Sequence, residues 1–161
     1  MVKTDLQILC QKIISGGQTG VDRGALDACL EFNLSCGGWC PFGRRAEDGI
    51  IPEKYPLQET DSTDYSRRTL RNILDSDATL VISTLPMKGG TKLTAELTKQ
   101  HNKSLFVFAP ENDFRDIIIW LIKNNVKTLN VAGPRESDWK DAYKFSYQLI
   151  TKLIRTIRKN S

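Results

Sequence analysis

The sequence predicts an α/β protein with a Rossmann-like three-layer sandwich, in which helices cover both faces of a mainly parallel sheet of at least five strands. Three observations predict this class. Short apolar segments, typical of strands that are buried on both faces, alternate with segments of helical periodicity. Glycine-rich turns follow two of these strands. The length of 161 residues suits a single domain, so residues 1–161 are expected to form one.

The composition is that of an ordinary globular protein. Hydrophobic residues make up 40% of the chain and charged residues 26%, which excludes a mostly disordered, collagen-like or coiled-coil chain. No apolar run approaches about 18 residues, so no transmembrane helix is expected. The first seven residues lack an apolar core, which argues against a signal peptide and favours a cytoplasmic location.

The thiol and imidazole groups do not predict a metal site. The spacings of Cys10, Cys29, Cys36 and Cys40 match no zinc pattern, because the C-x3-C pair at Cys36 and Cys40 has no second pair. His101 is the single histidine, so mechanisms that need two histidines are nearly excluded. We therefore expect structural or incidental thiols and no bound metal.

The first strand and the first helix flank a glycine-rich turn. Residues 12–15 form the strand, and Gly16 and Gly17 stop it. Residues 20–32 place apolar side chains on one face at helical spacing. Thr19 is the expected N-cap of this helix, with Asp22 three residues later as a variant of the capping box.

The second strand is expected at residues 35–39, and a long irregular segment follows it. Residues 40–63 show no clear period and are rich in proline, glycine and charged residues. An irregular loop of that length inside a compact domain is usually functional. This loop is therefore a candidate part of a binding site.

The rest of the chain alternates regularly between helices and strands. Apolar runs predict strands at residues 78–83, 105–109 and 128–131, and helical patterns occupy residues 64–74, 91–100, 114–122 and 142–157. Because crossovers between parallel strands are right-handed, these elements predict a sheet covered on both faces. Ligands of such sheets bind outside the carboxyl ends of the strands.

The strongest local signal for a ligand is the glycine-rich turn at residues 15–23. A turn that joins a strand to a helix directs backbone N–H groups and the positive end of the helix toward one point, which suits phosphate. A tight turn with a helix cap is the plain alternative. The candidate ligand-binding residues of this turn are Gly16, Gly17, Gln18, Thr19, Gly20, Asp22 and Arg23.

Two familiar nucleotide motifs are absent from this turn. The Walker pattern needs Gly-Lys-Ser/Thr after four intervening residues, and the turn does not contain it. The dinucleotide fingerprint needs an acidic residue about twenty residues further on, where this chain has Gly37, Gly38 and Trp39. The sequence therefore disfavours NAD as a cofactor.

A second glycine-rich turn follows a second strand. Gly89, Gly90, Thr91 and Thr94 lie in it or just beyond it. Two turns in matching positions are expected to converge on one pocket and to form its opposite walls. Gly133, after the last strand, either rims the same pocket or belongs to a simple turn in which Ser137 caps the last helix.

Two further segments carry candidate ligand-binding side chains. Arg68 and Asn72 share a helix face with Tyr65, and Arg68 suits a phosphate or a carboxylate, unless it is a solvated arginine. Trp39 and Arg44 belong to a loop that could close over a base or pterin ring by stacking. A loop that is merely anchored by its aromatic and proline residues is the alternative.

Several long motifs resemble one known family. They are SGGQTGVDRGALDA (15–28), GGWCPFGRRAEDGIIPEKYPL (37–57), ET (59–60), Tyr65, RT (68–69), Asn72, DSDATL (75–80), GGTKLT (89–94) and LNVAGPRES (129–137). In this order they resemble the molybdenum cofactor carrier family, which is similar to the YpsA-type and lysine-decarboxylase-like (LOG) Rossmannoid proteins. The resemblance implies a Rossmann-like fold, a nucleotide or molybdopterin-type ligand, and homo-oligomers.

Two functions remain open at this point. The first is a binding or carrier protein for the molybdenum cofactor or a nucleotide. The second is a LOG-like phosphoribohydrolase that cleaves the N-glycosidic bond of a nucleoside monophosphate, a reaction that needs a carboxylate. Its candidate catalytic residues are Arg68, Glu96, Asp22 and Asp48. The LOG motif has a glutamate three residues after its threonine, whereas this chain has Thr94 in that position after Thr91.

The last predicted helix carries residues that are relevant to binding partners of the protein. Its apolar residues beyond the core stripe, among them Trp139, Tyr143, Tyr147, Ile150 and Ile154, predict a homo-oligomer, most simply a dimer. Basic residues near residues 152–159 would suit nucleic acid, but they equally suit a solvated helix face. The net charge of +4 does not require nucleic acid, and neither nucleic acid nor a membrane is expected as a partner.

Overall fold

The computed structural model describes residues 9–159, and the expectation about a signal peptide lies outside this range. Five strands form the central sheet, and four more strands form two small ribbons beside it. In chain order the elements are β1 (Lys12–Ile14), α1 (Val21–Glu31), β2 (Ser35–Gly37), β3 (Trp39–Cys40), β4 (Arg45–Ala46), β5 (Gly49–Ile50), β6 (Gln58–Glu59), α2 (Tyr65–Leu74), β7 (Ala78–Ile82), α3 (Gly89–Gln100), β8 (Ser104–Phe108), α4 (Phe114–Lys123), β9 (Thr128–Ala132) and α5 (Ala142–Lys159).

The central sheet is entirely parallel and has the order β2-β1-β9-β7-β8. This confirms the predicted α/β class. The last strand, β9, lies at the centre of the sheet, between β1 and β7. If β9 is counted first, the order becomes 3-2-1-4-5, which is the order of the Rossmann fold. The chain is therefore a circular permutation of that fold.

Right-handed crossovers distribute the helices over both faces of the sheet. The connections through α1 and α4 run toward β2, and those through α2 and α3 run toward β8, so the two pairs cover opposite faces. Helix α5 packs against α1. The main core lies between these layers; its largest fully buried side chains include Ile13, Leu80, Ile82, Ile117, Leu121, Leu129, Ile150 and Leu153.

The burial of α5 corrects part of the argument for a dimer. Ile150 and Ile154 are 0% and 2% exposed, so they belong to the core of this chain rather than to a free apolar surface. Tyr143 is exposed, and Trp139 and Tyr147 are half-buried. The homo-oligomer stays a prediction that light scattering can test.

The start of α1 differs from the expectation. Thr19 is not its N-cap, because the helix begins after Gly20, and the hydroxyl of Thr19 donates to the carboxylate of Glu47. The N–H of Val21 donates to the carbonyl oxygen of Pro134 at 3.1 Å. Gly20 has a φ of 80°, and a Cβ there would overlap the same carbonyl oxygen. The start of α1 is therefore capped by the backbone of the loop that follows β9.

Two other element boundaries also differ from those predicted from the sequence. The strand expected at residues 35–39 is split at Gly38, whose φ is 127° and whose Cβ, if present, would overlap the carbonyl oxygen of Ser15. The piece beyond it, β3, pairs with β6 instead of joining the sheet. Helix α3 begins at Gly89, so Gly89 and Gly90 form its first turn rather than a turn before it.

Within residues 9–159, no helix combines the length and the apolar character that crossing a membrane requires. All four cysteines are free, and three of them are buried. Burial raises the pKa of the Cys10 thiol to about 12.

Candidate functional site

An open cleft of about 690 Å³ lies at the carboxyl ends of β9 and β7. These are the neighbouring strands whose outgoing connections run to opposite faces of the sheet, which is where α/β proteins of this type bind ligands. The walls are the turn after β1, one face of α2, the segment before α3 with its first turns, and the loop after β9.

Many of the residues predicted from sequence meet in this cleft. Those that line it are Gly16, Gln18, Asp22, Arg68, Asn72, Gly89, Gly90, Thr91, Thr94 and Gly133. Those that do not line it are Gly17, Thr19, Gly20, Arg23, Trp39 and Arg44, together with the candidate acids Asp48 and Glu96. The two glycine-rich segments converge on the cleft as expected. All four candidate residues of the second segment line it, but only three of the seven candidates in the first segment do so.

In the turn after β1, two backbone N–H groups donate to side-chain oxygens of the turn itself and of α1. The N–H of Gln18 donates to Asp22 Oδ2 at 3.2 Å. The N–H of Thr19 donates to the side-chain oxygen of Gln18 at 3.0 Å, and that oxygen also accepts from Glu47 N at 2.9 Å. The first turn therefore offers an anion fewer donors than its sequence predicts, and it places a carboxylate beside the cleft.

The first turn of α3 is open in contrast. Helices α2 and α4 each begin with an aspartate that accepts a backbone N–H at 2.9 Å. Helix α3 begins after Lys88, whose side chain makes no capping hydrogen bond. A Cβ added at Gly89 or Gly90 would meet nothing within 4 Å. The positive end of this helix therefore faces the empty space of the cleft.

Thr91 adds a polar side chain at the same point. It is 7% exposed and lines the cleft, and within residues 9–159 its hydroxyl group has no hydrogen-bond partner. In the same range, the N–H groups of Gly89, Gly90 and Thr91 donate to no protein acceptor. The first turn of α3 therefore presents its backbone N–H groups and the Thr91 hydroxyl group to the cleft, where they can donate to a bound group.

Arg68 supplies positive charge on the α2 wall. Its side chain is 12% exposed and is held by a 2.8 Å hydrogen bond from Nη1 to the carbonyl oxygen of Gly16. Asp22 Oδ2 lies 3.8 Å from the same nitrogen. Burial raises the pKa of Asp22, and the nearby guanidinium of Arg68 partly opposes that shift. The wall thus combines a fixed cation with a buried carboxyl group.

Two arginines predicted near the ligand hold loops instead. Arg23 forms a bidentate pair with Asp48, whose pKa it lowers through hydrogen bonds, and its Nε donates to the carbonyl oxygen of Gly17. The guanidinium of Arg44 donates to four carbonyl groups, those of Ile51, Pro52, Tyr55 and Leu57. Both side chains fix the 40–63 segment, and so account for much of its order.

Trp39 and Asn72 are partners of each other. The amide of Asn72 accepts from Trp39 N at 2.8 Å and donates to Trp39 O at 3.1 Å. The Trp39 indole donates to Asp75 at 2.7 Å, and Arg71 lies over its ring at 4.2 Å from the centroid. Trp39 therefore contacts residues at the carboxyl end of α2 and does not line the cleft.

The loop after β9 closes one end of the cleft. A Cβ at Gly133 would overlap the carbonyl oxygen of Ile82, so glycine is required by the close approach of two strands. Ser137 does not cap α5, which begins at Ala142; its hydroxyl donates to Glu47 at 2.5 Å. Glu47 thereby joins the β4–β5 hairpin to this loop.

Sequence reasoning did not assign every lining residue to the site. The unassigned residues include Tyr65, Ser83, Leu85, Pro86 and Asn130. Two signals could have found some of them: Ser83 directly follows the buried strand β7, and Tyr65 shares a helix face with Arg68. No group of three or more histidine, cysteine, aspartate or glutamate residues within residues 9–159 could hold a metal ion.

The permuted Rossmann order of the parallel sheet places the protein among the Rossmann-like α/β proteins. More particularly, the chain belongs to the circularly permutated YpsA SLOG family, which matches residues 13–154. This agrees with the strand order described above and confirms the resemblance found in the sequence.

The chain is similar to a protein from Syntrophus aciditrophicus SB named "Putative molybdenum carrier protein", whose crystal structure was determined at 1.45 Å resolution. The two share 40% sequence identity with a TM-score of 0.83, over 92% of this chain and 95% of that one. None of the curated proteins matches the chain.

Proposed function

We propose that this protein is a binding protein for a phosphorylated heterocycle, either the molybdenum cofactor or a nucleotide-derived ligand. The observation that carries the proposal is the uncapped first turn of α3, which opens into the cleft opposite Arg68. Backbone donors at a helix N-terminus together with a guanidinium suit a phosphate group. The name of the Syntrophus relative supports the molybdenum cofactor as the ligand.

The phosphate lies at α3 rather than at the turn after β1 in this proposal. At α3 the donors of Gly89, Gly90 and Thr91 are free of protein acceptors. At the other turn, Gln18 and Asp22 accept the donors. Arg68 neutralises the phosphate from the facing wall, and Asn130 and Ser83 provide polar groups at the floor.

The ligand itself can be identified by mass spectrometry of small molecules released from freshly purified, undialysed protein. A stoichiometric molybdopterin species would support a function as a carrier of the molybdenum cofactor. A nucleotide would instead name the compound to be tested for binding and hydrolysis. The proposal would be contradicted if the purified protein carried no phosphorylated compound and if no added phosphorylated compound raised its melting temperature.

A variant pair tests the position of the phosphate. Gly90→Asp places a carboxylate at the open helix end, where it should bind the free N–H groups and repel phosphate while leaving the fold intact. We expect it to lose the thermal stabilisation that the identified ligand, or GMP, gives the wild type. Gly90→Ala, which adds no charge, is the control and should keep most of it. Equal stabilisation of both variants would place the phosphate elsewhere.

A phosphoribohydrolase is the second candidate, and Asp22 is the observation that favours it. Asp22 is 6% exposed, lines the cleft beside Arg68, and has a pKa raised by burial, as a general acid requires. Asp48 is paired with Arg23, and Glu96 lies 4.0 Å from Lys92 outside the cleft. Release of free base from AMP by the wild type, abolished in Asp22→Asn, would support hydrolysis; no release after long incubation would count against it.

A further inference from the structure

The outer rim of the cleft carries apolar side chains that the phosphate site does not use. Tyr65 is 41% exposed and Leu85 is 60% exposed, and Pro86 beside it is also exposed. All three line the same cleft. Apolar and aromatic side chains that line a cleft together with a few polar groups are typical of small-molecule sites.

These side chains lie on facing walls. Tyr65 is the first residue of α2, and Leu85 and Pro86 belong to the segment that leads into α3. The two helices pack against each other on one face of the sheet, and both begin at its carboxyl edge. The entrance of the cleft therefore has an aromatic ring on one side and an aliphatic surface on the other.

The Tyr65 side chain contacts the Arg68 side chain on the same face of α2. The guanidinium of Arg68 lies 5.3 Å from the centroid of the Tyr65 ring. One turn of helix thus connects a partly exposed aromatic ring to the cation proposed to bind phosphate.

We infer that Tyr65 is a stacking residue that selects ligands with a planar heteroaromatic ring, which lies between Tyr65 and the Leu85–Pro86 segment. The inference rests on the proposed function, because the ring must belong to the compound whose phosphate α3 and Arg68 bind. It assigns to Tyr65 the role that the sequence suggested for Trp39, which lies outside the cleft. Purines and pterins share the required chemistry.

The test compares phosphate compounds with and without a ring. GMP, AMP and ribose 5-phosphate are titrated into ligand-free full-length protein by calorimetry, with the variants Tyr65→Phe and Tyr65→Leu. Stacking of a base on an aromatic side chain changes affinity by about 5- to 150-fold. We expect the nucleotides to bind the wild type more tightly than ribose 5-phosphate by a factor in that range. Tyr65→Phe should keep this advantage, and Tyr65→Leu should lose most of it.

A spectroscopic readout separates stacking from a structural role. The fluorescence of 2-aminopurine riboside 5′-monophosphate should be quenched on binding to the wild type and to Tyr65→Phe, and much less on binding to Tyr65→Leu. If Tyr65→Leu weakens ribose 5-phosphate as much as GMP, or leaves GMP unchanged, the inference is wrong while the phosphate site stands. If no phosphate compound binds, or Gly90→Asp binds them all normally, the proposed function fails first.

Discussion

At the scale of single residues, Asp22 is the group whose charge bears most directly on the site. It accepts from Gln18, faces Arg68 and lies at the edge of the cleft. Its carboxylate opposes an anionic ligand, whereas its neutral form does not. Since burial raises its pKa, protonation is easier in the folded protein than in the unfolded chain.

The raised pKa of Asp22 predicts how stability depends on pH. The protonated carboxyl group of Asp22 makes its full contribution to the free energy of unfolding below the ordinary aspartate pKa. This contribution is lost as the pH rises through the raised pKa of the folded state. Asp22→Asn, whose amide oxygen can still accept from Gln18, does not suffer this loss. We expect its melting temperature, relative to the wild type, to increase from pH 4 to pH 8. Parallel curves for the two proteins would refute the assignment.

The candidate site could be predicted only partly from its residues. Gly89, Gly90 and Arg68 were found because glycine turns and arginines on a helix face carry local signals. Trp39 and Arg44 carry similar signals but bind Asp75 and four loop carbonyls, partners that only the tertiary fold brings near. A side chain's chemistry is readable from sequence, whereas its partner is not.

At the scale of elements, α1 and α5 approach so closely that only a glycine fits between them. A Cβ at Gly24 would overlap the carbonyl oxygen of Tyr143 and lie 3.0 Å from both Ser146 Cβ and Tyr147 N. The hydroxyl of Ser146 also donates to Val21 O at 2.7 Å. The contact is therefore made largely by backbone and small side chains.

Two Gly→Ala substitutions in helices should have opposite effects on the free energy of unfolding. Alanine favours a helix over glycine by up to about 1 kcal/mol. Gly90→Ala meets no atom within 4 Å, so it should be neutral or stabilising. Gly24→Ala must push two helices apart and should lower the free energy of unfolding by about 1–3 kcal/mol. Urea denaturation measures both, and similar values would contradict the close packing.

The elements of the main sheet were predictable because their strands are buried on both faces. Such strands give continuous apolar runs, as at β7, where all five residues are buried. The cap of α1 was not predictable, because Pro134 supplies the acceptor from a distant loop. Nor was the division at Gly38, where the backbone of Ser15 leaves no room for a Cβ.

At the scale of the whole molecule, the order of strands along the chain differs from their order in space. Both β1 and β7 contact β9, which follows them in sequence. Alternation of strands and helices predicts a parallel sheet but not which strand lies at its centre. The permuted order therefore had to come from the structure.

The permutation predicts that the chain can be reconnected. A protein that begins at Asn125, passes through Lys159 and a short glycine-serine linker to Leu9, and ends at Asn124 would have strands in the ordinary Rossmann order. Because α5 follows the carboxyl end of β9 and packs against α1, it returns toward the edge of the sheet at which β1 begins, so a short linker should suffice. We expect cooperative unfolding and retained ligand binding. A permutant with helical circular dichroism but no cooperative transition would show that the connection matters.

The central position of β9 also affects how the protein is made. Before Thr128 has been synthesised, the strands of the central sheet can form only two of its native pairs, β2 with β1 and β7 with β8. Each pair then has an uncovered edge, which is a hazard for association with other chains. The facing walls of the cleft are joined only when the last strand is inserted. A nascent chain therefore gains its candidate site only after β9 has been synthesised, and a chain that stops before Thr128 lacks the middle strand of its sheet.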